Sequence, residues 1–270
     1  MDMPEYPDYA ERNREAWNEA APIHRQHWKI DLRQAVQSDS FSVLSDIERE
    51  VFAQLSVQDK TVAQLCCNNG RELISVLKLG AKSGTGFDIS DEMIKEATLL
   101  GSLSHTHCEF VRTHIYDIGE AYAGRFDIAY ITIGSLGWFH DLDRFFAVVN
   151  RILRPGGHLF IYEMHPILDM LALPGENAYD AEQELRIVYS YFKSDPFVET
   201  NGLDYVGNTQ YEAKPAYSFP HTISAILTAL LNSGLALRGF TEYCHDISHT
   251  FAFLEKYQML PMCYTLLAQK

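Results

Sequence analysis

The chain has 270 residues, 47% of them hydrophobic, which suits one large domain or one domain carrying a cap. Lys and Arg number 22 against 36 Asp and Glu, a net charge of −14, and no basic stretch reaches the density that a phosphate backbone demands, so a nucleic-acid partner is not expected. No window approaches the ~18 consecutive apolar residues of a membrane span, so no membrane partner is expected either, and five cysteines without framework spacing suggest reduced thiols in a cytoplasmic protein.

Residues 1–58 read as a helical leader. Met1-Asp2-Met3-Pro4-Glu5 is polar and acidic, unlike a signal peptide. Asn13 to Ala21 is rich in helix formers, and Asp46 to Phe52 begins a second helix with acidic residues in its first turn. A βα core follows over residues 59–165. Thr61 to Cys66 is a short apolar strand, Cys67-Asn68-Asn69-Gly70 a turn, and Arg71 to Leu79 an amphipathic helix ended by Gly80. The next strand, Gly84 to Phe87, delivers Asp88 at its carboxyl end, 18 residues after Gly70. A carboxylate about 20 residues beyond a glycine turn is how α/β sheets hold the ribose of an adenosine. Further on, Phe126 to Thr132 is a strand and Leu142 to Arg154 a helix. Pro155 stops that helix, and Gly156-Gly157 turns the chain into the strand around Leu159 to Ile161.

Residues 166–220 interrupt this alternation, where an ordinary connection takes about 2–6 residues. Leu185 to Phe192 alternates like a strand. Phe197 to Thr200 and Leu203 to Val206 flank Asn201-Gly202, a strong hairpin signal. The insertion is therefore expected to be a β-rich cap. Residues 221–270 resume the core with a helix from His221 to Ser233, a strand from Leu235 to Tyr243 and a last strand from Met262 to Ala268. The expected organisation is a single domain over residues 1–270 made of leader, core and cap.

Val62 to Gly70 resembles the first motif of the Rossmann-like S-adenosylmethionine-dependent methyltransferases, which runs apolar, apolar, acidic, apolar, Gly, x, Gly, x, Gly. Here Gln64 holds the acidic position, Cys66 and Asn68 hold two glycine positions, and Gly70 keeps the third. Phe110 to Ile118 is similar to the family's third motif, with His114 in place of its acidic adenine contact. Arg125 to Thr132 and Leu142 to Ile161, with its Leu-x-Pro-Gly-Gly turn, match the next two motifs in order. The resemblance covers about 100 residues. It implies a Rossmann-like, seven-stranded, mainly parallel sheet whose last strand enters antiparallel. It also implies S-adenosylmethionine as cofactor, with S-adenosylhomocysteine as product. Carried over residue by residue, Gln64, Cys66, Cys67, Asn68, Gly70, Asp88, Ile89, His114, Ile115 and Thr132 would form the cofactor site. Asn13-Arg14-Glu15-Ala16-Trp17 looks like the Asn-x-x-x-Trp pattern of a helix that folds over the cofactor in related small-molecule enzymes, which adds Trp17.

The activity so implied is in-line methyl transfer to a small molecule, which needs alignment, exclusion of water and, for a protonated acceptor, a base. An insertion after the fifth strand emerges at the carboxyl edge of the sheet, where ligands bind. The cap is accordingly expected to roof a pocket walled by Trp138, His140, His165 and His221, with His140 and His165 as candidate bases. A dimerisation arm, giving a homodimer, is the other reading of the insertion. Two further classes stay open: a non-catalytic S-adenosylmethionine-binding regulator, and a nicotinamide-dependent oxidoreductase, against which the missing Gly-x-Gly-x-x-Gly counts. Cys244-His245-Asp246-Ile247-Ser248-His249 has metal-ligand residue types but follows a strand and lacks further ligands at informative spacing, so no metal is expected.

Overall fold

The computed structural model describes residues 6–207 and 209–270. The first five residues, on which the signal-peptide argument rested, lie outside them. The strands are β1 (Thr61–Leu65), β2 (Ser83–Asp88), β3 (Cys108–Arg112), β4 (Phe126–Ile131), β5 (Leu153–Met164), the short β6 (Phe197–Glu199) and β7 (Ala216–Ser218), β8 (Ala236–Tyr243) and β9 (Cys263–Gln269). Seven of them form one sheet in the order β3-β2-β1-β4-β5-β9-β8. The first five run parallel, and β9 is antiparallel to both β5 and β8. This is the expected Rossmann-like α/β sheet. β1 and β4 are apolar runs buried almost throughout, as strands covered on both faces must be.

The helices are α1 (Tyr6–His27), α2 (Leu32–Ala35), α3 (Asp46–Gln54), α4 (Arg71–Lys78), α5 (Asp91–Leu103), α6 (Leu142–Ile152) and α7 (Ile223–Asn232). On one face of the sheet Ala63, Leu65, Ala129, Ile131 and Ile161 pack with Phe145, Phe146 and Val149 of α6 and Ile226 and Leu230 of α7. On the other, Val62, Ile128, Tyr130 and Tyr162 pack with Phe52 of α3 and Leu73 and Val76 of α4. Each fully buried Val, Leu, Ile or Phe among them contributes about 1.5–3 kcal/mol. The chain leaves β1 for β2 on one side and later returns to β4 on the other, so a crevice opens beyond the carboxyl ends of β1 and β4, where an open α/β sheet takes its ligand.

The leader is helical as expected and docks on the core through polar caps. Asn18 Oδ1 accepts from Ser90 Oγ and the Glu92 N–H at the start of α5. Ser45 and Glu48 form a capping box on α3. Helix α6 ends at Ile152, before Pro155. Gly156 adopts φ 79° just inside β5, and a side chain at Gly157 would press on the Phe126 carbonyl.

The cap carries a second small sheet, as expected, but its strands are not the ones the sequence pattern marks. Leu185–Phe192 is not a strand; it makes one isolated bridge, Ile187 to Leu171. Phe197–Glu199 pairs with Ala216–Ser218 rather than with Leu203–Val206. Gly202 does turn at φ 97°, but it begins an excursion and not a two-residue hairpin. Leu185 packs on Leu168, Leu171 and Phe251 while Ile187 and Phe192 stay exposed, so alternation here has neither a buried face nor a neighbouring strand to make it a ladder. No helix among the described residues is long and apolar enough to cross a membrane, and all five cysteines are free.

Candidate functional site

The turn after β1 is the centre of the site. Cys66, Asn68 and Gly70 take φ values of 55°, 50° and 75°. All three glycine positions of the motif are thus left-handed, two of them in residues with side chains. Asn tolerates this conformation better than other non-glycine residues, whereas Cys carries it at a cost of about 1 kcal/mol. Gly70 begins α4, and a Cβ there would collide with the Phe110 ring.

Asp88, at the end of β2, stabilises the turn from the side. Its Oδ2 accepts the Asn68 N–H at 2.8 Å and its Oδ1 the Ser90 N–H at 2.9 Å. Burial raises its pKa, while the N–H groups of Ser90, Asn68 and Ile89 pull it down. Each carboxylate oxygen keeps a further lone-pair direction for a hydroxyl. Gln64 is fully buried with both amide atoms unpartnered, and the thiols of Cys66 and Cys67 are pushed up by burial, so neither is a nucleophile.

A cleft of roughly 570 Å³ opens beyond the ends of β2 and β3, lined by Ile89, Arg112, Thr113 and His114 from the core and by Ala10, Glu11 and Arg14 from α1, among others, but by no residue of the turn itself. His114 Nδ1 accepts the Tyr116 N–H at 3.1 Å, and burial pushes the ring down to about 4, so it is neutral at physiological pH. The Ile115 side chain is in the core and can offer only backbone to a ligand. A more open hollow of about 610 Å³ between Thr200–Asn201 and Gln210–Ala213 of the cap contains none of the strand-end residues.

Over the turn, leader and cap meet. Trp17 of α1 lies 5.5 Å from Trp138 of the loop after β4 and 6.3 Å from Tyr205 of the cap, centroid to centroid. Tyr205 keeps 47% of its surface. Asn68 bonds it, and Arg71, Glu72 and Asp88 stand nearby. Asn13 clasps β7, accepting the Tyr217 N–H at 2.7 Å and donating to the Tyr217 carbonyl at 2.9 Å.

Trp138, His140 and His221 gather on the loop after β4. His221 Nε2 donates to the Phe139 carbonyl at 2.7 Å, and the His140 ring lies 5.8 Å from that of Phe219. His165, the other candidate base, lies at the end of β5 against β8. Its Nδ1 accepts the Ile167 N–H at 3.1 Å and its Nε2 faces Glu242 at 3.0 Å, so both nitrogens are engaged in capping a 3₁₀ turn and bridging to β8. Reading the sequence passed over its neighbour Glu163. This carboxylate accepts N–H groups from Gly134 (Oε2), Ser135 (Oε1, 2.7 Å), Leu136 (Oε1, 2.9 Å) and Met164 (Oε2, 2.9 Å). An acidic residue at the carboxyl end of a buried parallel strand was the available signal. In the Cys244–His249 segment, Cys244 bonds Gln258, His245 bonds Tyr162 and Asp246 caps Ser248 and Phe251. Among the described residues no group of three His, Cys, Asp or Glu is arranged to hold a metal.

The sheet order, the crevice beyond β1 and β4 and the carboxylate at the end of β2 define a Rossmann-like nucleotide-binding architecture. Residues 62–157 match the family profile described as a methyltransferase domain. The chain is 28% identical over 127 residues to a ubiquinone biosynthesis O-methyltransferase of Xanthomonas oryzae, covering 46% of this chain and 52% of that one. It thus spans about half the length of the curated relatives it matches. An S-adenosylmethionine-dependent methyltransferase structure from Mesorhizobium loti superposes with TM-score 0.60 at 24% identity, over 81% of this chain and 97% of that one. Geranyl diphosphate C-methyltransferase of Streptomyces coelicolor, bound to S-adenosyl-L-homocysteine, superposes with TM-score 0.62 at 15% identity over 99% of both chains. Burkholderia thailandensis 1,6-didemethyltoxoflavin-N1-methyltransferase gives 0.58 at 13% identity, over 100% of this chain and 92% of that one. These superpositions establish the fold.

Proposed function

We propose that the protein is a cytoplasmic S-adenosylmethionine-dependent methyltransferase acting on a small-molecule acceptor. The observation that carries this reading is the turn Cys66–Gly70, left-handed at all three motif positions and tied through the Asn68 N–H to Asp88. The site fits the cofactor: a carboxylate with spare acceptor capacity for ribose hydroxyls, an apolar Ile89 beside a neutral His114 for a base, and an orphaned Gln64 amide beneath the turn. When bound, the cofactor supplies an electrophilic methyl group on a sulfonium. Thr132 and the following loop border that position. Trp17, Trp138 and Tyr205 exclude water and align the acceptor. His140 is the candidate base. Burial lowers its pKa, against the pull of Asp141, which favours the neutral ring that a base requires. The superposed enzymes that act on geranyl diphosphate and didemethyltoxoflavin support a small acceptor beneath the cap.

Calorimetry comparing S-adenosylmethionine with NAD, followed by turnover against a metabolite panel, tests the reading. Binding of S-adenosylmethionine with methyl transfer is expected. Binding without turnover would favour a regulator, and binding of NAD alone would favour an oxidoreductase.

A further inference from the structure

Glu163 is 4% exposed, and its four hydrogen bonds fill the lone-pair directions of one carboxylate. Three of the donors are consecutive residues of the loop after β4, entered at Gly134 with φ 75°. That loop ties the site together. Ser135 Oγ donates to the Thr132 carbonyl at 2.7 Å, and the Ser135 hydroxyl also meets the Cys66 thiol. The Gly137 carbonyl accepts the Phe219 N–H where the cap returns, the Phe139 carbonyl accepts from His221, and Trp138 packs on Trp17. Cofactor turn, leader and cap therefore all lean on a loop whose backbone is fixed by one side chain.

Resting on the methyl-transfer reading above, we propose that Glu163 is the positioning residue of the site: its ionised carboxylate fixes Gly134, Ser135 and Leu136 as the wall that aligns acceptor and methyl group, and protonation loosens that wall. The ionised form accepts all four N–H groups. A proton on either oxygen opposes one of them, and the loop must give way. The titratable groups around it are the Cys66 thiol from the turn, with Asp88 beyond it, the Tyr264 hydroxyl from β9, and His165 with Glu242 of β8 two residues along. Burial pushes Glu163 up to about 7 although the four N–H groups pull it down, so both forms are accessible near neutrality.

The chain has three tryptophans, Trp17, Trp28 and Trp138, and only the last lies in the loop. We would label the full-length protein with 5-fluorotryptophan, assign Trp138 by Trp138→Phe, and follow its fluorine resonance between about pH 5.5 and 8.5. The resonance should titrate with a midpoint near 7, lose the titration in Glu163→Gln and regain it at a displaced midpoint in Glu163→Asp. A flat wild-type resonance, or the same midpoint in the Gln variant, would overturn the proposal. If the Gln variant does not fold, a midpoint in Glu163→Asp identical to wild type overturns it instead. In turnover, Glu163→Gln should lose about 10–10²-fold in kcat with KM for S-adenosylmethionine little changed, the signature of misalignment. A wild-type protein that binds neither S-adenosylmethionine nor S-adenosylhomocysteine overturns the methyl-transfer reading, and calorimetry shows this separately from the titration.

Discussion

The core (residues 59–165) and the cap (residues 166–220) are built on different principles. The core is held by strand ladders and by two apolar faces, each continuous across neighbouring strands. The cap has two three-residue strands; its first part packs on Phe251, Leu254 and Met262 through Leu168 and Leu171, and its second part is held largely by side chains of the leader, some 200 residues away in sequence. Asn13 clasps Tyr217, Glu19 accepts the Lys214 N–H at 2.9 Å, and His24 donates to the Leu203 carbonyl at 2.7 Å. At the centre of this seam Asp204, its side chain inaccessible, accepts the N–H groups of Gly207 and Thr209 and faces His27 at 2.8 Å. The second half of the cap and the leader therefore meet through side chains and not through a strand ladder.

The comparison breaks most readily at Asp204. Asp204→Ala leaves two N–H groups and His27 without their partner and should cost about 2–4 kcal/mol of cap docking. Hydrogen exchange should quicken across residues 197–218 while β1 and β4 stay protected; a change spread evenly over core and cap would show that the two are not separable. Burial alone would raise the Asp204 pKa, but the N–H groups and His27 bring it down to about 2. Because the folded value lies below the unfolded one of about 3.8, its contribution is whole above pH ~4 and is lost as pH falls through ~2.

Asn13→Ala should have a smaller effect, about 1–2 kcal/mol, by removing two hydrogen bonds to Tyr217. It should raise KM for the acceptor and leave the melting of the core unchanged. An unaltered KM would mean that the clasp does not close the roof. The smallest effect should come from the core's own departure from pattern. Cys66→Gly relieves a left-handed side chain and should gain up to about 1 kcal/mol in chemical denaturation. A loss would show that the thiol packs usefully against Ser135.

The same contrast explains what could be read in the sequence. The apolar runs of β1 and β4, the Gly70 turn and the placing of Asp88 are legible because local pattern and backbone pairing agree there. Leu185–Phe192 alternates without a partner strand, so periodicity misleads. Asp204 and Tyr205 looked like one arm of a hairpin because their partners, His27 and Trp17, lie in the leader. Glu163 sat beside a histidine whose chemistry drew the eye. Its role depends on the fold of a loop 27–29 residues upstream, which no spacing rule encodes.

On the proposed methyl-transfer reading, the turn Cys66–Gly70 and Asp88 hold an adenosyl cofactor. Isothermal calorimetry with S-adenosylhomocysteine, on the wild-type protein and on Asp88→Ala, tests it most directly. The account predicts binding by the wild type, weakened by about 1.5–3 kcal/mol in the variant, roughly ten- to hundredfold, on the scale of hydrogen bonds to a charged group. No binding by the wild type, or equal affinity in both proteins, would contradict it.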